Sequence, residues 1–306
     1  MPRKLGIVGM GLMGQAFIRN LRDSEFEIQG FDIDMARMDA LRDQGGNPVN
    51  SPAEVARGVN IVIMSLPTSD ISREVLFGPN GIVEGATKGL YVCDTTTARP
   101  ADSEHLAAEL ADRGIKYLDS AVSGTSAMAE KGDLIVIVGG EKKDFEVCKS
   151  IFFGFSREAY YMGPSGSGAR TKLVINLILA GNRFALAEGL VMGEKAGLEP
   201  HHLLEVLKDG ACYSKTMIDK GPKMINADYA KQGQVKVSLK DSRLMIELGQ
   251  QLGVPVLMTS LYSQILQTAN EKGYSEKDTV AFYEILRGMS GLEERTGIDS
   301  VPFGDV

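Results

Sequence analysis

Leu5-Gly6-Ile7-Val8-Gly9-Met10-Gly11-Leu12-Met13-Gly14 decides the reading of this chain: four strand-like residues, then three glycines spaced G-x-G-x-x-G. A helical run, Gln15-Ala16-Phe17-Ile18-Arg19-Asn20-Leu21, follows directly. The first glycine permits a tight turn, the second lets a pyrophosphate approach the backbone, and the third lets helix pack close to strand. The start of the helix then offers unpaired N–H groups and a positive dipole end to phosphate. Gly9, Met10, Gly11, Leu12, Met13 and Gly14 are thus the expected phosphate-facing segment of a dinucleotide site.

The next strand-like run, Phe26-Glu27-Ile28-Gln29-Gly30-Phe31, ends in Asp32. A carboxylate at that point accepts from the ribose hydroxyls of the cofactor. Ile33 follows where an arginine would neutralise a 2′-phosphate, and Arg37 is useful to one only if the loop folds back. NAD is therefore expected in preference to NADP.

Further strands are expected over 60–67, 90–93, 116–119 and 133–138, with helices over 35–41 and 101–113 and a helix start at Ser51-Pro52-Ala53-Glu54. Strands alternating with helices predict an α/β fold, a doubly wound Rossmann domain over 1–163 with a mostly parallel sheet. Ligands bind such sheets beyond the carboxyl ends of the strands. Leu66-Pro67, Asp94 to Thr97 and Asp119 to Thr125 are three such ends, expected to converge on one crevice. Past Met162 the texture changes. Gly163-Pro164-Ser165-Gly166-Ser167-Gly168 reads as a hinge, and a long helix is expected over 169–196. Helices then follow over 200–208, 238–252, 256–272 and 278–287, predicting a C-terminal all-α domain over 164–291 joined through the long helix. The polar stretch 292–306 is expected to be a flexible tail.

Composition narrows the function. The 306 residues are 43% hydrophobic and 24% charged, with a net charge of −7. The acidic balance argues against nucleic acid or an anionic membrane as partner. No apolar run approaches the roughly 20 residues of a membrane span, and the first strand begins too early to leave room for a signal peptide. Cys93, Cys148 and Cys212 form no C-x-x-C pair, which suits a reducing, cytoplasmic setting and gives no zinc site. His105, His201 and His202 are the only histidines, and none lies in a glycine-rich or acidic constellation. A Ser-His-Asp hydrolase or a His–Asp base is poorly supported, so proton transfer has to come from another residue type.

Lys172 stands out because apolar residues follow it (Leu173-Val174-Ile175, then Leu177-Ile178-Leu179 after Asn176), placing Lys172 and Asn176 one turn apart amid burial. From pattern alone it either snorkels to water or is a desolvated proton shuttle, with Asn176 orienting it. Asp119-Ser120-Ala121-Val122-Ser123-Gly124-Thr125 is either a turn or an anion-holding loop of backbone N–H groups and hydroxyls. Lys240-Asp241 alone reads as a solvated charged pair.

Taken together, these residues resemble the β-hydroxyacid dehydrogenase family, which includes 3-hydroxyisobutyrate dehydrogenase, tartronate semialdehyde reductase and the glyoxylate/succinic semialdehyde reductases. The resemblance spans about residues 4–290 and rests on motifs in order: Gly9 to Gly14, Leu66-Pro67, Asp94 to Pro100, Asp119 to Thr125, Gly166 to Lys172, and Lys240-Asp241. It implies Lys172 as general acid/base with Asn176 beside it, and Ser123, Gly124 and Thr125 around the substrate carboxylate. It implies Leu66, Pro67, Thr96 and Thr97 at the cofactor, and Lys240 closing over its nicotinamide end. A small hydroxy acid or semialdehyde is the implied substrate, no metal is implied, and the long helix is expected to build a homodimer or homotetramer. The sequence departs from the family at Ser120-Ala121, where Ala-Pro is usual, at Thr125, where a second glycine is usual, and at Thr96, where serine is. A non-catalytic dinucleotide-binding assembly module and an imine reductase are the alternative readings on this scaffold.

Overall fold

A computed structural model describes residues 3–22 and 26–293. The strands are β1 (Arg3–Val8), β2 (Phe26–Phe31), β3 (Asn47–Pro48), β4 (Ile61–Met64), β5 (Tyr91–Asp94), β6 (Lys116–Ser123), β7 (Leu134–Gly139) and β8 (Ser156–Gly163). They form one sheet in the order β3-β2-β1-β4-β5-β6-β7-β8, parallel throughout except for the antiparallel β6–β7 pair. Chain order reverses on either side of β1, so the sheet has its switch point where Gly9 leaves that strand.

Side-chain alternation sorts the core into two layers. Leu5 and Ile7 of β1 and Ile61 and Ile63 of β4 face one layer, with Phe17, Leu21, Phe152 and Phe155. Val8, Val62, Met64 and Val92 face the other, with Leu76, Leu106 and Leu110. β1 and β4 are covered on both faces, which is why β4 reads as an unbroken apolar run. Each fully buried aliphatic or aromatic side chain contributes about 1.5–3 kcal/mol. The helices of this part are α1 (Leu12–Arg22), α2 (Met35–Asp43), α3 (Pro52–Ala56), α4 (Ser69–Phe77), α5 (Ile82–Gly85), α6 (Pro100–Ala111), α7 (Ser126–Glu130) and α8 (Lys142–Phe152). The predicted start of α3 is present: Ser51 Oγ accepts from Glu54 N at 3.2 Å, with Pro52 in the first turn.

The expected end of a strand at Asp119 is corrected. β6 runs on to Ser123, because Ser120 and Ala121 are buried and pair with Val138 and Ile137 of β7. Serines at 120 and 123 gave this segment the look of a turn. β3 and β8 carried no clear strand signal.

The 29-residue α9 (Ser167–Lys195) leads into α10 (Pro200–Asp209), α11 (Lys215–Asp219), α12 (Gly221–Ile225), α13 (Val235–Leu252), α14 (Leu257–Ala269) and α15 (Phe282–Met289). The chain divides into two compact units inside α9, after Leu173. Lys172 therefore belongs with the sheet and Asn176 with the helices. The helical unit packs around Phe184, Leu190, Leu204, Leu266, Tyr262 and Phe282, with the last two rings edge to face at 5.2 Å. The final expected helix starts later than 278: a 3₁₀ turn (Thr279–Ala281) precedes α15.

The absence of a membrane-length apolar run also needs revision. By length and composition alone α9 is long and apolar enough to cross a bilayer, and a third of its most apolar stretch is buried. The tail expected over 292–306 lies outside the described residues from 294 onward.

Candidate active site

The glycine turn is built by close contact. Gly9 adopts φ +88°, and a Cβ there would lie 2.3 Å from the Ser65 carbonyl oxygen. A Cβ on Gly14 would lie 2.2 Å from the Gly9 carbonyl oxygen, so the first turn of α1 rests directly on the end of β1. Gly11 differs: a Cβ there would meet nothing nearer than 3.8 Å. The first turn of α1 carries no acidic residue. Open space above one glycine, between two that are pressed against protein, and a helix start without a competing carboxylate fit a bound pyrophosphate.

Asp32 braces this turn. Its Oδ2 accepts from Met10 N at 2.6 Å and its Oδ1 from Asp34 N at 2.9 Å. The Arg37 loop does fold back: Arg37 Nη1 reaches Asp32 Oδ2 at 3.2 Å while its Nε faces Asp34 Oδ2 at 3.3 Å. The guanidinium is the group nearest the open side of Gly11.

Two strand-end loops are clamped together by Thr96, which is buried. Its Oγ1 accepts from Leu66 N at 3.3 Å and from Ser72 Oγ at 3.2 Å. Its own N–H donates to Asp94 Oδ1 at 3.0 Å, and Tyr117 OH donates to Asp94 Oδ2 at 3.0 Å. Burial pushes the Asp94 carboxyl up, against the hydrogen bonds from Thr96, Ser72 and Tyr117 that pull it down. Tyr117 is held far above its ordinary range by burial and by the Asp94 and Asp119 charges. Thr96 thus spends its hydroxyl inside the protein and fixes Leu66. Pro67 is exposed and Thr97 half-buried at the rim.

At the end of β6, Ser123 pairs with Ile135 of β7. Gly124 has φ +143°, and a Cβ there would strike Leu134 at 2.4 Å. Thr125 caps α7, its Oγ1 accepting from Met128 N at 3.3 Å. The cap gives the departure from glycine a local structural use.

Four residues before Ser123, the carboxylate of Asp119 accepts from Gly166 N and Ala169 N, both at 2.9 Å, at the start of α9. Burial raises its pKa to about 6 despite those bonds. Lys172 is half-buried on that helix. One turn on, Asn176 Nδ2 donates to Asp241 Oδ2 at 2.9 Å, and Lys240 Nζ faces Asp241 Oδ1 at 3.0 Å. Asp241 joins two residues that stand far apart in the sequence, and it is not the solvated charge that the Lys240-Asp241 pattern suggests. Its side chain is only 13% exposed. The three histidines are all exposed, His201 and His202 in the first turn of α10, where their N–H groups bond Glu199. Among the described residues, no group of three or more His, Cys, Asp or Glu is arranged to hold a metal ion.

Residues 4–163 match the family described as the NAD binding domain of 6-phosphogluconate dehydrogenase. Residues 166–286 match the one described as the NAD-binding of NADP-dependent 3-hydroxyisobutyrate dehydrogenase. The 2-(hydroxymethyl)glutarate dehydrogenase of Eubacterium barkeri is 30% identical over 96% of this chain and 98% of its own. The chain belongs to the β-hydroxyacid dehydrogenase family. This member is accordingly a nicotinamide-dependent oxidoreductase. Among its relatives, the human mitochondrial 3-hydroxyisobutyrate dehydrogenase is also 30% identical, over 92% of this chain and 86% of that one. A crystal structure of 3-hydroxyisobutyrate dehydrogenase from Salmonella typhimurium superposes with a TM-score of 0.85 at 24% identity, covering 92% of this chain and 99% of that one. An imine reductase from Myxococcus stipitatus shares the fold more distantly, with a TM-score of 0.63 at 15% identity, and imine reduction is not favoured.

Proposed function

We propose that this family member oxidises a short β- or γ-hydroxy carboxylate, or reduces the matching semialdehyde, with Lys172 as general acid/base. The carrying observation is that Asn176 and Lys240 are tied to one carboxylate, Asp241, with Lys172 one helical turn before Asn176. A nicotinamide ring, when bound, supplies the hydride acceptor or donor. The protein's own part is positional. Lys172 takes the hydroxyl proton in oxidation and returns it in reduction. Asn176 orients the reacting oxygen, Lys240 closes over the cofactor, and Ser123, Gly124 and Thr125 hold the substrate carboxylate.

NAD is the preferred cofactor in this reading. Gly9 to Gly14 cradle the pyrophosphate, and Leu66, Pro67 and Thr97 line the cofactor, with Thr96 fixing Leu66. Asp32 presents a carboxylate where a 2′-phosphate would bring negative charge, and Arg37 is already paired with Asp32 and Asp34. NADP is used less well.

The working unit is proposed to be a homodimer or homotetramer in the cytoplasm. Val174, Ile178 and Met192 of α9 and Leu257 and Leu261 of α14 are exposed apolar side chains that a second copy would cover. The test is Lys172→Ala with a panel of C3–C5 hydroxy acids: kcat should fall by about 10²–10⁴ while NAD affinity holds. Unchanged turnover would overturn the assignment.

A further inference from the structure

The start of α9 is fitted to the sheet with no space to spare. A Cβ on Gly168 would lie 2.4 Å from the Asp119 carbonyl oxygen and 2.7 Å from that of Ile137. A Cβ on Gly139, the β7 residue opposite Asp119, would lie 2.6 Å from Asp119 Oδ1 and 2.8 Å from Gly168 N. Two absent side chains let the helix touch β6 and β7, and the Asp119 carboxylate fills the gap by accepting from Gly166 N and Ala169 N. Asp119, Ala121 and Ser123 share one face of β6, since alternate strand residues point the same way. Lys172 lies three residues beyond Ala169 on the helix so held.

We propose that Asp119 is a positioning residue: it fixes the helix bearing Lys172 to the strand that ends in the Ser123 loop, and so sets the proton-transfer group in register with the substrate carboxylate. The inference rests on the reading of Lys172 and Ser123 given above. Burial raises the Asp119 carboxyl to about 6, and it also raises that of Asp94 beside it. Tyr117 on its own strand is held far above its ordinary range, and Asp94 on β5, its register partner, is hydrogen-bonded to Tyr117 and Thr96. Tyr161 on β8 donates to the Gly140 carbonyl, and Glu104 of α6 is paired with Arg170 of α9. Lys172 is the other cation on the first turns of α9. Protonation of Asp119 turns one acceptor oxygen into a hydroxyl, so the backbone bond to that oxygen weakens locally in acid even though burial favours the neutral carboxyl in the fold as a whole. A defect in the general acid/base itself leaves a different mark, because its protonated form serves reduction and its neutral form oxidation, whereas loss of the anchor slows both.

The experiment compares Asp119→Asn, Asp119→Ala and Lys172→Ala in the full chain, measuring kcat and KM in both directions from pH 5 to 9, with NAD affinity and melting temperature. Asp119→Ala should lose about 100-fold in kcat with NAD affinity unchanged, the scale expected for a reacting group displaced by about an ångström. Asp119→Asn keeps one acceptor oxygen and nearly the same volume. It should recover kcat to within about tenfold of wild type and lose the acid limb near pH 6 in both directions. The proposal is overturned if Asp119→Ala turns over normally, if kcat falls only in step with melting temperature and NAD affinity, or if Asp119→Asn keeps the acid limb. Should Asp119→Ala fail to fold, the Asn variant and its pH profile decide. Normal turnover by Lys172→Ala would instead remove the functional reading on which the inference stands, whatever the Asp119 variants do.

Discussion

Removing the carboxylate of Asp278 should destabilise the helical unit more than most single changes. Asp278 is fully buried and accepts from Lys220 Nζ with both oxygens at 3.0 Å, from Gln232 N and Gly233 N at 3.1 Å, and from Val280 N at 3.2 Å. Around it the backbone is knotted: Asp278 N donates to Tyr229 O and Val235 N to Lys277 O, each at 3.0 Å. Asp278→Ala strands the buried Val280 N–H, at about 1–3 kcal/mol when left unsatisfied, takes a partner from the more accessible Gln232 and Gly233 N–H groups, and leaves an ammonium whose pairing is worth about 3–5 kcal/mol to keep. These costs do not add in full. Burial already lowers the pKa of Lys220, and without Asp278 the lysine sheds its proton before it bears the whole penalty of a buried charge. A loss of about 5 kcal/mol is expected, comparable to the low end of the total stability of a typical domain. Lys220→Met leaves Asp278 its three N–H donors and should cost about half as much. Urea unfolding of both singles and the double variant gives the coupling, expected to exceed about 2 kcal/mol. A cost below about 1 kcal/mol for Asp278→Ala, or strict additivity, would refute the account of a buried, mutually dependent pair.

Three further outcomes follow from the sheet unit. Asp32→Ala with Ile33→Arg should shift the kcat/KM ratio toward NADP, and no shift would mean that another residue reads the ribose. Gly14→Ala places a methyl group against the Gly9 carbonyl oxygen, so NAD affinity should fall at least about tenfold, about 1.4 kcal/mol, by calorimetry. For Asp119, the folded pKa of about 6 lies above the ordinary 3.8, so the folded chain binds this proton more tightly than the unfolded one. The stability linked to it, about 3 kcal/mol, is fully present below pH 4 and is lost as pH rises through 6. Melting temperature compared between wild type and Asp119→Asn across that window should show this slope in the wild type alone.

The glycine turn, Asp32 and the alternation of strand and helix were legible because each follows from local chemistry: a spacing, a strand end, a periodicity. What escaped depends on partners far apart in the chain. β8 carries Arg157, Glu158 and two tyrosines on an edge with many exposed residues, and β3 is two residues long, so neither shows a period. Arg37 reaches Asp32 only because α2 begins at once after Asp34, which caps it. Asp241 looked like half of a surface ion pair because its partner Asn176 is 65 positions away. Lys220 and Asp278 are separated by 58 positions, and nothing in either neighbourhood announces burial. Among the candidate site residues, what the sequence does not display is the contacts that hold them: Asp119 on the start of the helix, the Thr96 hydroxyl on Leu66, and Asp241 on Asn176 and Lys240.

The two glycines that seat α9 bear on how variation in this chain would be read. A scan of every substitution, scored by turnover, should mark Gly139 and Gly168 as intolerant as any reactive side chain, although neither offers a group that a substrate could touch. Sensitivity at such positions would record the shape of an absence. What the scan would be mapping there is clearance: the width of two missing methyl groups, on which the address of a lysine depends.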